Sequence, residues 1–276
     1  MKEQKPEFVK ITEEVYDSFE ETITEIRTTD AAPKTGILLD LLIASAYTKT
    51  YDFFMFLCKE ASPKNSFFYI PMLRGICEDF IALTYILSKD KREQDSLLIT
   101  KKYEEINKTL DAQILFLNKH RPNQKVVPID TVPNLEQAIE LYNKKNGWEI
   151  EKKKLPNTFD MARKVGLQDV YKFIYHGTSK AVHFDIITLL GLGWGKLDND
   201  KETLDTKFSY KNDYRQDFTF VFFYTSKLFT MQSKSFEKKL KIPKEMIEIL
   251  DILEEKNQIN DWPTIITFEK MNLKSN

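Results

Sequence analysis

Residues that interrupt helices are rare along this chain. Eight glycines and ten prolines occur among 276 residues, roughly half of their usual frequency. Such sparse interruption favours long helices over many short strands joined by turns. Apolar residues recur at steps of three and four in most segments, which is the spacing that gives a helix one apolar face. The sequence therefore predicts an all-α protein, a multi-helix bundle of about eight helices.

The segments with this periodicity are separated by short polar or proline-containing stretches. The predicted helices lie at 7–29, 36–61, 65–88, 92–119, 134–146, 158–165, 168–190, 214–238 and 243–256. Polar residues and the turn sequence Asp198–Asn199–Asp200 predict a small β-hairpin near 193–210. Because no linker is long and polar enough to divide the chain, residues 1–276 are predicted to form a single helical domain. Residues 120–160 are a candidate lid or subdomain, and residues 258–276 an irregular tail.

Charge and cysteine content narrow the class of protein. The 41 basic and 42 acidic residues nearly cancel, which argues against a strongly basic nucleic-acid protein but leaves room for a local basic groove. Cys58 and Cys77 lie in apolar helical patterns and are predicted to be buried free thiols in a reducing compartment. No apolar run reaches the ~18 residues of a membrane span. We expect a cytoplasmic protein with no membrane partner.

Several common catalytic motifs are missing from the sequence. It contains no glycine-rich phosphate loop, no His-Glu-x-x-His and no Gly-x-Ser-x-Gly. Two cysteines and three histidines are too few for a zinc cluster of the usual spacing. These absences count against P-loop hydrolysis of nucleotides, zinc proteolysis and α/β-hydrolase chemistry. We expect neither a cofactor nor a metal.

The first group of polar residues with chemical potential lies in the apolar helix predicted at 65–88. Arg74 and Glu78 are four residues apart, so they share a helix face and are predicted to pair. Buried charges are costly unless they are paired and hydrogen-bonded. The pair is therefore either a structural clamp or part of a site, and Gly75 beside it permits a close approach by another group.

The second group lies within residues 171–185, in a helix otherwise apolar enough to be central. Tyr175, Ser179 and His183 recur every four residues, and His176 lies two helical turns before His183. Histidine transfers protons near neutral pH, and tyrosine and serine can position an anion. A hydrogen-bonded polar layer between helices is the structural alternative. The candidate catalytic residues are Arg74, Glu78, Tyr175, His176, Ser179 and His183.

These two segments together resemble a known family. Arg-x-x-x-Glu at Arg74 and Glu78, followed by Tyr-x-x-x-Ser-x-x-x-His at 175–183, is similar to the pattern of a family of uncharacterised bacterial helical proteins. The resemblance covers roughly residues 35–240. That family is distantly similar to the higher eukaryotes and prokaryotes nucleotide-binding (HEPN-like) domains. Many HEPN-like proteins are metal-independent ribonucleases of toxin and antiphage systems.

The resemblance implies a bacterial defence effector that acts on RNA. HEPN-like enzymes carry an arginine and a nearby histidine on one helix, whereas neither Arg121 nor Arg163 has a histidine at that spacing. The implied site would therefore span two helices, with Arg74 as the cation and His183 as the base. Two other interpretations stay open. The chain could be a non-catalytic interaction or sensor component that forms a homo-oligomer or binds a partner protein, or a bundle that binds a small anion.

Overall fold

The computed structural model describes residues 7–28, 38–127, 132–179, 181–183, 209–211, 214–257 and 262–264. Within those ranges the chain is helical and contains no strand. We number the helices α1 (Glu7–Asp17), α2 (Glu20–Arg27), α3 (Leu38–Lys59), α4 (Ile70–Leu87), α5 (Lys91–His120), α6 (Leu135–Asn146), α7 (Thr158–Lys164), α8 (Gln168–Val170, Tyr171–Tyr175 and His176–Ser179 in succession), α9 (Tyr214–Leu240) and α10 (Lys244–Asn257). The all-α class is confirmed. The described residues form ten helices, so the prediction of about eight was too low.

The helix predicted at 7–29 divides into α1 and α2. The Ser18 hydroxyl donates a hydrogen bond to the Val15 carbonyl (2.6 Å). The Phe19 amide bonds to the Tyr16 carbonyl, only three residues back (3.0 Å). A serine hydroxyl that competes for backbone carbonyls, together with a tighter turn, interrupts the α-helical pattern. The hydrophobic periodicity continues across this break, which is why the sequence predicts one helix.

The helix predicted at 65–88 begins differently from the expectation. A 3₁₀ segment, Pro63–Tyr69, leads into α4. Pro71 then lies in the first turn of α4, where its missing N–H costs no intrahelical hydrogen bond. Most of the circumference of α4 is buried, including Leu73, Ile76 and Phe80. The predicted central position of this helix is confirmed.

Several helix ends follow the signals in the sequence. Asn134 and Gln137 form a capping box at the start of α6. Gly147 ends that helix with a φ of 72°, and Gly166 follows α7 with a φ of 74°. Both values lie in the left-handed region that glycine adopts without strain. The predicted ends of these two helices are confirmed.

Helix α9 forms the centre of the bundle and packs against α3, α4 and the 3₁₀ segment. Phe229 on α9 is fully buried, and its ring lies beside the rings of Tyr16, Tyr47 and Tyr51. Helix α10 covers another side of α9 and is joined to it by an ion pair between Lys227 and Glu254. The phenylalanine-rich run at 218–229 was predicted to form core or an oligomer interface. Four of its phenylalanines, Phe218, Phe220, Phe222 and Phe229, lie in the core.

The candidate lid at 120–160 includes α6 and part of the chain that precedes α7. Helix α6 packs on α5, where the Tyr142 hydroxyl donates to the Asp95 carboxylate (2.6 Å). The Lys153 amide donates to the Thr100 hydroxyl, also on α5 (3.0 Å). These contacts attach the segment to the bundle, and its action as a lid or subdomain stays a prediction.

The remaining predictions concern the hairpin, the tail, the cysteines and membrane-spanning helices, and the first two fall mostly outside the described residues. The hairpin near 193–210 lies outside the described residues except for Ser209 and Tyr210, which form no strand. The tail at 258–276 is described only at 262–264, which has no regular secondary structure. Cys58 and Cys77 are buried free thiols, as predicted. None of the helices in the described ranges has both the length and the apolar character needed to cross a membrane.

Candidate functional site

Helix α8 carries the second polar segment and contains a π-helical turn at Tyr171–Tyr175. The His176 amide bonds to the Tyr171 carbonyl, five residues back, instead of the carbonyl four residues back. Such widened turns are frequent at functional sites. The rings of Tyr171 and Tyr175 stack side by side, with centroids 5.0 Å apart and planes 22° apart. The helix predicted at 168–190 is present from Gln168 to Ser179 with this turn inside it, and its predicted continuation lies outside the described residues except for 181–183.

Arg74 crosses from α4 to α8 and contacts two of the predicted residues. Its Nε donates to the Ser179 Oγ (3.1 Å), and its Nη2 donates to the Tyr175 Oη (2.9 Å). The guanidinium carbon also lies 4.6 Å from the centroid of the Tyr175 ring, within the range of a cation–π interaction. All three side chains are half-buried. We call these residues the Arg74–Tyr175–Ser179 cluster.

The hydrogen-bond directions in this cluster leave donors unused. Ser179 donates its own proton to the Tyr175 carbonyl (2.7 Å), so its oxygen accepts from Arg74. The Tyr175 hydroxyl also accepts from Arg74. Within the described part of the chain, neither the Tyr175 hydroxyl proton nor Arg74 Nη1 has an acceptor. Both groups can therefore donate to a bound anion.

The charge of Arg74 has no carboxylate counterpart among the described residues. Glu78 is half-buried but forms no ion pair with Arg74, so the predicted pair is wrong. The reason is that the Arg74 side chain extends to α8 instead of along its own helix. The next acidic residue on α4, Asp79, pairs with Lys49 on α3 (2.8 Å).

The two histidines lie outside the hydrogen-bonded cluster. The His183 amide donates to the Ser179 carbonyl (3.1 Å), which puts this residue one turn beyond Ser179, as the four-residue spacing predicts. Its side chain is exposed, and so is that of His176. Neither imidazole makes a hydrogen bond within the described ranges. The structure thus brings together Arg74, Tyr175 and Ser179 and leaves Glu78, His176 and His183 around them.

Comparison with known proteins identifies the family of this chain. Residues 49–202 match a family of unknown function, DUF5677. The chain belongs to that family. No curated protein and no solved structure matches this chain. The description of DUF5677 names no activity and no HEPN-like domain, so both the predicted ribonuclease activity and the predicted likeness to HEPN-like domains stay predictions.

The range matched to DUF5677 includes α7, whose Phe159 extends the aromatic contacts of the cluster. Its ring centroid lies 5.4 Å from that of Tyr171, which in turn stacks on Tyr175. Neither Phe159 nor Tyr171 was predicted to be a site residue. The four-residue spacing of Tyr171 and Tyr175 was an available signal, whereas the approach of Phe159 depends on the packing of α7 beside α8.

Cys77 also lies in the DUF5677 range, on α4, and contacts the α8 backbone at Tyr175. Burial raises the pKa of its thiol to about 12, although a hydrogen bond with the Tyr175 backbone lowers the pKa in part. Because the thiolate is the reactive form, this cysteine stays neutral and inert near pH 7. Within the described ranges no three His, Cys, Asp or Glu residues are grouped so that they could hold a metal ion.

Two open pockets lie on the surface of α3. The larger, of about 600 Å³, is lined mainly by aromatic and aliphatic side chains of α3 and of the chain at 68–72. The smaller, of about 280 Å³, is lined by charged residues that include Glu20, Arg27 and Lys59. Neither of these pockets includes Arg74, Tyr175 or Ser179. In this DUF5677 chain the three clustered residues therefore lie where α4 contacts α8, outside both of these pockets.

Proposed function

We propose that the Arg74–Tyr175–Ser179 cluster binds a phosphate of RNA and that the protein is a metal-independent ribonuclease. The observation that carries this proposal is a guanidinium oriented by two hydroxyl groups without a carboxylate partner among the described residues. Hydroxyl groups orient Arg74 but leave its positive charge uncompensated. An oriented, half-buried guanidinium is well suited to bind phosphate oxygens through two parallel hydrogen bonds.

In the proposed reaction, the ribose 2′-hydroxyl attacks the adjacent phosphorus. The bond from phosphorus to the 2′-oxygen forms, and the bond to the 5′-oxygen of the next nucleotide breaks. Arg74 and the Tyr175 hydroxyl stabilise the negative charge that accumulates on the non-bridging oxygens. His183 accepts the 2′-hydroxyl proton, and a solvent water protonates the leaving 5′-oxygen. The hydroxide that remains takes the proton from His183, which restores the starting state of the protein. The products are a 2′,3′-cyclic phosphate and a free 5′-hydroxyl.

Ser179 has a positioning role in this proposal. Its oxygen accepts from Arg74 Nε, and its proton is held by the Tyr175 carbonyl. A serine used in this way is unsuited to act as a nucleophile, because its proton is already committed to the helix backbone. Glu78 and His176 receive no direct role, and His176 therefore serves as a control.

The test is cleavage of a 5′-labelled single-stranded RNA by the purified chain in the presence of EDTA. We expect Arg74→Ala and His183→Ala each to slow cleavage by about a hundredfold or more, the usual effect of losing charge stabilisation or proton transfer. His176→Ala and Arg92→Ala replace an exposed histidine and an exposed arginine and should cleave like the wild type. Thermal melting checks that each variant is folded. A wild-type chain that leaves RNA intact, or a His183→Ala variant with full activity, would refute the ribonuclease.

One observation favours a second function, that of a non-catalytic interaction or sensor component. The His183 imidazole makes no hydrogen bond to Arg74, Tyr175 or Ser179. The cluster would then bind RNA without cleaving it and pass the signal to a second copy or a partner protein. This alternative predicts Arg74-dependent RNA binding with no product, together with a change of molecular mass on binding in analytical ultracentrifugation.

The biological setting that we propose is cytoplasmic antiphage or toxin–antitoxin defence in bacteria. Support for it comes from the resemblance of the two sequence segments to a family of uncharacterised bacterial helical proteins that is distantly similar to HEPN-like domains. Expression of the wild-type chain in a bacterial host should lower the plating efficiency of phage or arrest growth. Arg74→Ala should abolish that effect, and equal plating with both chains would contradict the setting.

A further inference from the structure

We infer that Phe159 stacks on an unpaired base of a single-stranded RNA whose phosphate is bound by Arg74. This inference rests on the proposed function and names the form of RNA that the same site takes. It depends on a row of rings, formed by Phe159, Tyr171 and Tyr175, that ends at the Arg74 guanidinium. Centroid distances along this row are 5.4 Å and 5.0 Å between the rings and 4.6 Å from Tyr175 to the guanidinium carbon.

Phe159 is the member of the row with the most accessible ring. It is 37% exposed, whereas Tyr171 and Tyr175 are half-buried. Every base has a flat π face, so an exposed aromatic ring is a stacking partner that tolerates any sequence. Tyr171 contacts one side of Phe159 and supports the ring in place.

The helix that carries Phe159 is held firmly. Met161 and Ala162 bury the inner side of α7, and this helix packs against α4. The Asn157 side chain accepts from the Asp160 amide and caps the start of α7 (2.9 Å). A ring on an anchored helix loses little freedom when a ligand binds, which favours affinity.

Charge around the row favours a polyanion over an uncharged partner. Arg74 lies at one end without a carboxylate partner in the described residues. Exposed Lys172 adjoins Tyr171, and exposed Arg163 and Lys164 lie on the same short helix as Phe159. Asp160 pairs with Arg163 (3.3 Å). Asp169 on α8 and Glu78 on α4 bring the acidic groups to three, against four cations. A single strand satisfies both parts of this surface, because its phosphates bind cations while its unpaired bases remain free to stack.

The test is fluorescence anisotropy with a labelled oligouridine that carries 2′-O-methyl groups, so that cleavage cannot occur. An abasic oligomer of the same length provides phosphates without bases. We expect Phe159→Ala and Phe159→Leu to weaken binding of the oligouridine about tenfold and Phe159→Trp to restore it. Binding of the abasic oligomer should be unchanged in all three. Phe159→Leu retains most of the apolar packing if the alanine variant is unstable. Phe116→Ala, which removes a 61% exposed ring on α5, is the matched control.

The two probes separate this inference from the proposed function. Arg74→Ala should weaken binding of both oligomers, because both contain phosphates. If it does so while Phe159→Ala and Phe159→Leu bind oligouridine like the wild type, the stacking role is overturned and the phosphate site stands. If Arg74→Ala binds both probes normally, or the wild type binds neither, both proposals fail. Duplex RNA bound as tightly as the single strand would also overturn the stacking role.

Discussion

The same hydrogen-bonding device occurs in two regions of this bundle. In the core, Ser233 on α9 donates to the Phe229 carbonyl four residues back and lies 2.8 Å from the Tyr47 hydroxyl of α3, whose proton it accepts. At the surface, Ser179 on α8 donates to the Tyr175 carbonyl and accepts from Arg74 of α4. In both regions a serine donates a hydrogen bond to its own helix, and its oxygen accepts a hydrogen bond from a side chain of a second helix.

The difference lies in the donor and in its burial. Tyr47 is neutral, fully buried and left with no proton to donate elsewhere. Arg74 is charged, half-buried and has donors without acceptors in the described residues. A saturated neutral contact can only hold helices together, whereas an unsaturated charged contact can also bind a ligand. Residue type and spacing therefore do not distinguish a structural contact from a binding site here, whereas exposure and unused hydrogen-bonding capacity do.

Phe229→Ala, a change in the core region, should reduce stability more than any other change considered. Phe229 is fully buried among Tyr16, Tyr47 and Tyr51. The variant should lower the free energy of unfolding by about 3–5 kcal/mol, because it removes a large apolar side chain and leaves a cavity. Urea unfolding measures the change, with the exposed Phe116→Ala as a control expected to stay within about 0.5 kcal/mol. Equal losses in both variants would contradict the central position of α9.

Alkaline pH should have the next largest effect, because it ionises buried groups of the core region and so lowers the free energy of unfolding. Burial raises the pKa of Cys77 from 9.0 to about 12 and raises the pKa values of Tyr16 and Tyr47. The unfolded chain loses these protons at lower pH than the folded chain. Ionisation of these groups therefore leaves the free energy of unfolding unchanged below about pH 9. It lowers that free energy as the pH rises toward 12.

Melting temperatures between pH 7 and pH 11 measure this alkaline loss. Cys77→Ala removes one of the buried titrating groups and should make the decline shallower. A melting temperature that is constant or rising above pH 9 would show that these groups are accessible in the folded chain.

Gln232→Met should stabilise the protein, because a polar group in the core is destabilising when it has no hydrogen-bond partner. Gln232 is fully buried beside Ser233, and neither atom of its amide has a hydrogen-bond partner among the described residues. An unsatisfied buried polar group costs about 1–3 kcal/mol, and methionine has a similar shape without that cost. Urea unfolding should show a gain of about that size. The same change at exposed Gln113 should have no measurable effect, and a destabilised Gln232→Met would imply a bound partner for the amide.

The smallest expected effects come from removing one hydroxyl in each region. Tyr47→Phe should lower the free energy of unfolding by about 1 kcal/mol, the typical value of a buried hydrogen bond. Tyr175→Phe should change stability by less than about 0.5 kcal/mol, because the site is half-exposed to water. In the anisotropy assay the order should reverse, with weaker RNA binding for Tyr175→Phe alone. A variant pair that behaves alike in both assays would remove the distinction between the regions.

Much of the fold could be predicted from the sequence because periodicity and helix ends are local properties. Asn134 and Gly147 mark the two ends of α6, and the apolar circumference of α4 predicts its burial. The break between α1 and α2 was missed, because Ser18 interrupts the hydrogen bonds without interrupting the apolar pattern. The π-helical turn of α8 was also missed, because it changes the hydrogen bonds of the helix without interrupting the apolar pattern.

The candidate site could be predicted only as two separate segments. The spacing of Tyr175, Ser179 and His183 was visible in the sequence, and so was Arg74 in an apolar helix. The wrong prediction concerned the partner of Arg74. A spacing of four residues made Glu78 available on the same helix, but Tyr175 and Ser179 offered two hydroxyls and an aromatic face across the interface.

Local sequence patterns are sufficient to predict that the described chain forms helices and which of their faces are apolar. Those properties depend on residues within a few positions of one another, where periodicity, caps and glycine act. The packing of the helices brings Arg74 into contact with α8, leaves it without an ion pair to Glu78, and adds Phe159 to the row of rings. These contacts join residues roughly a hundred positions apart or on separate helices. They depend on how helices pack and not on any local pattern, so only the folded chain reveals a cation with hydrogen bonds left to donate.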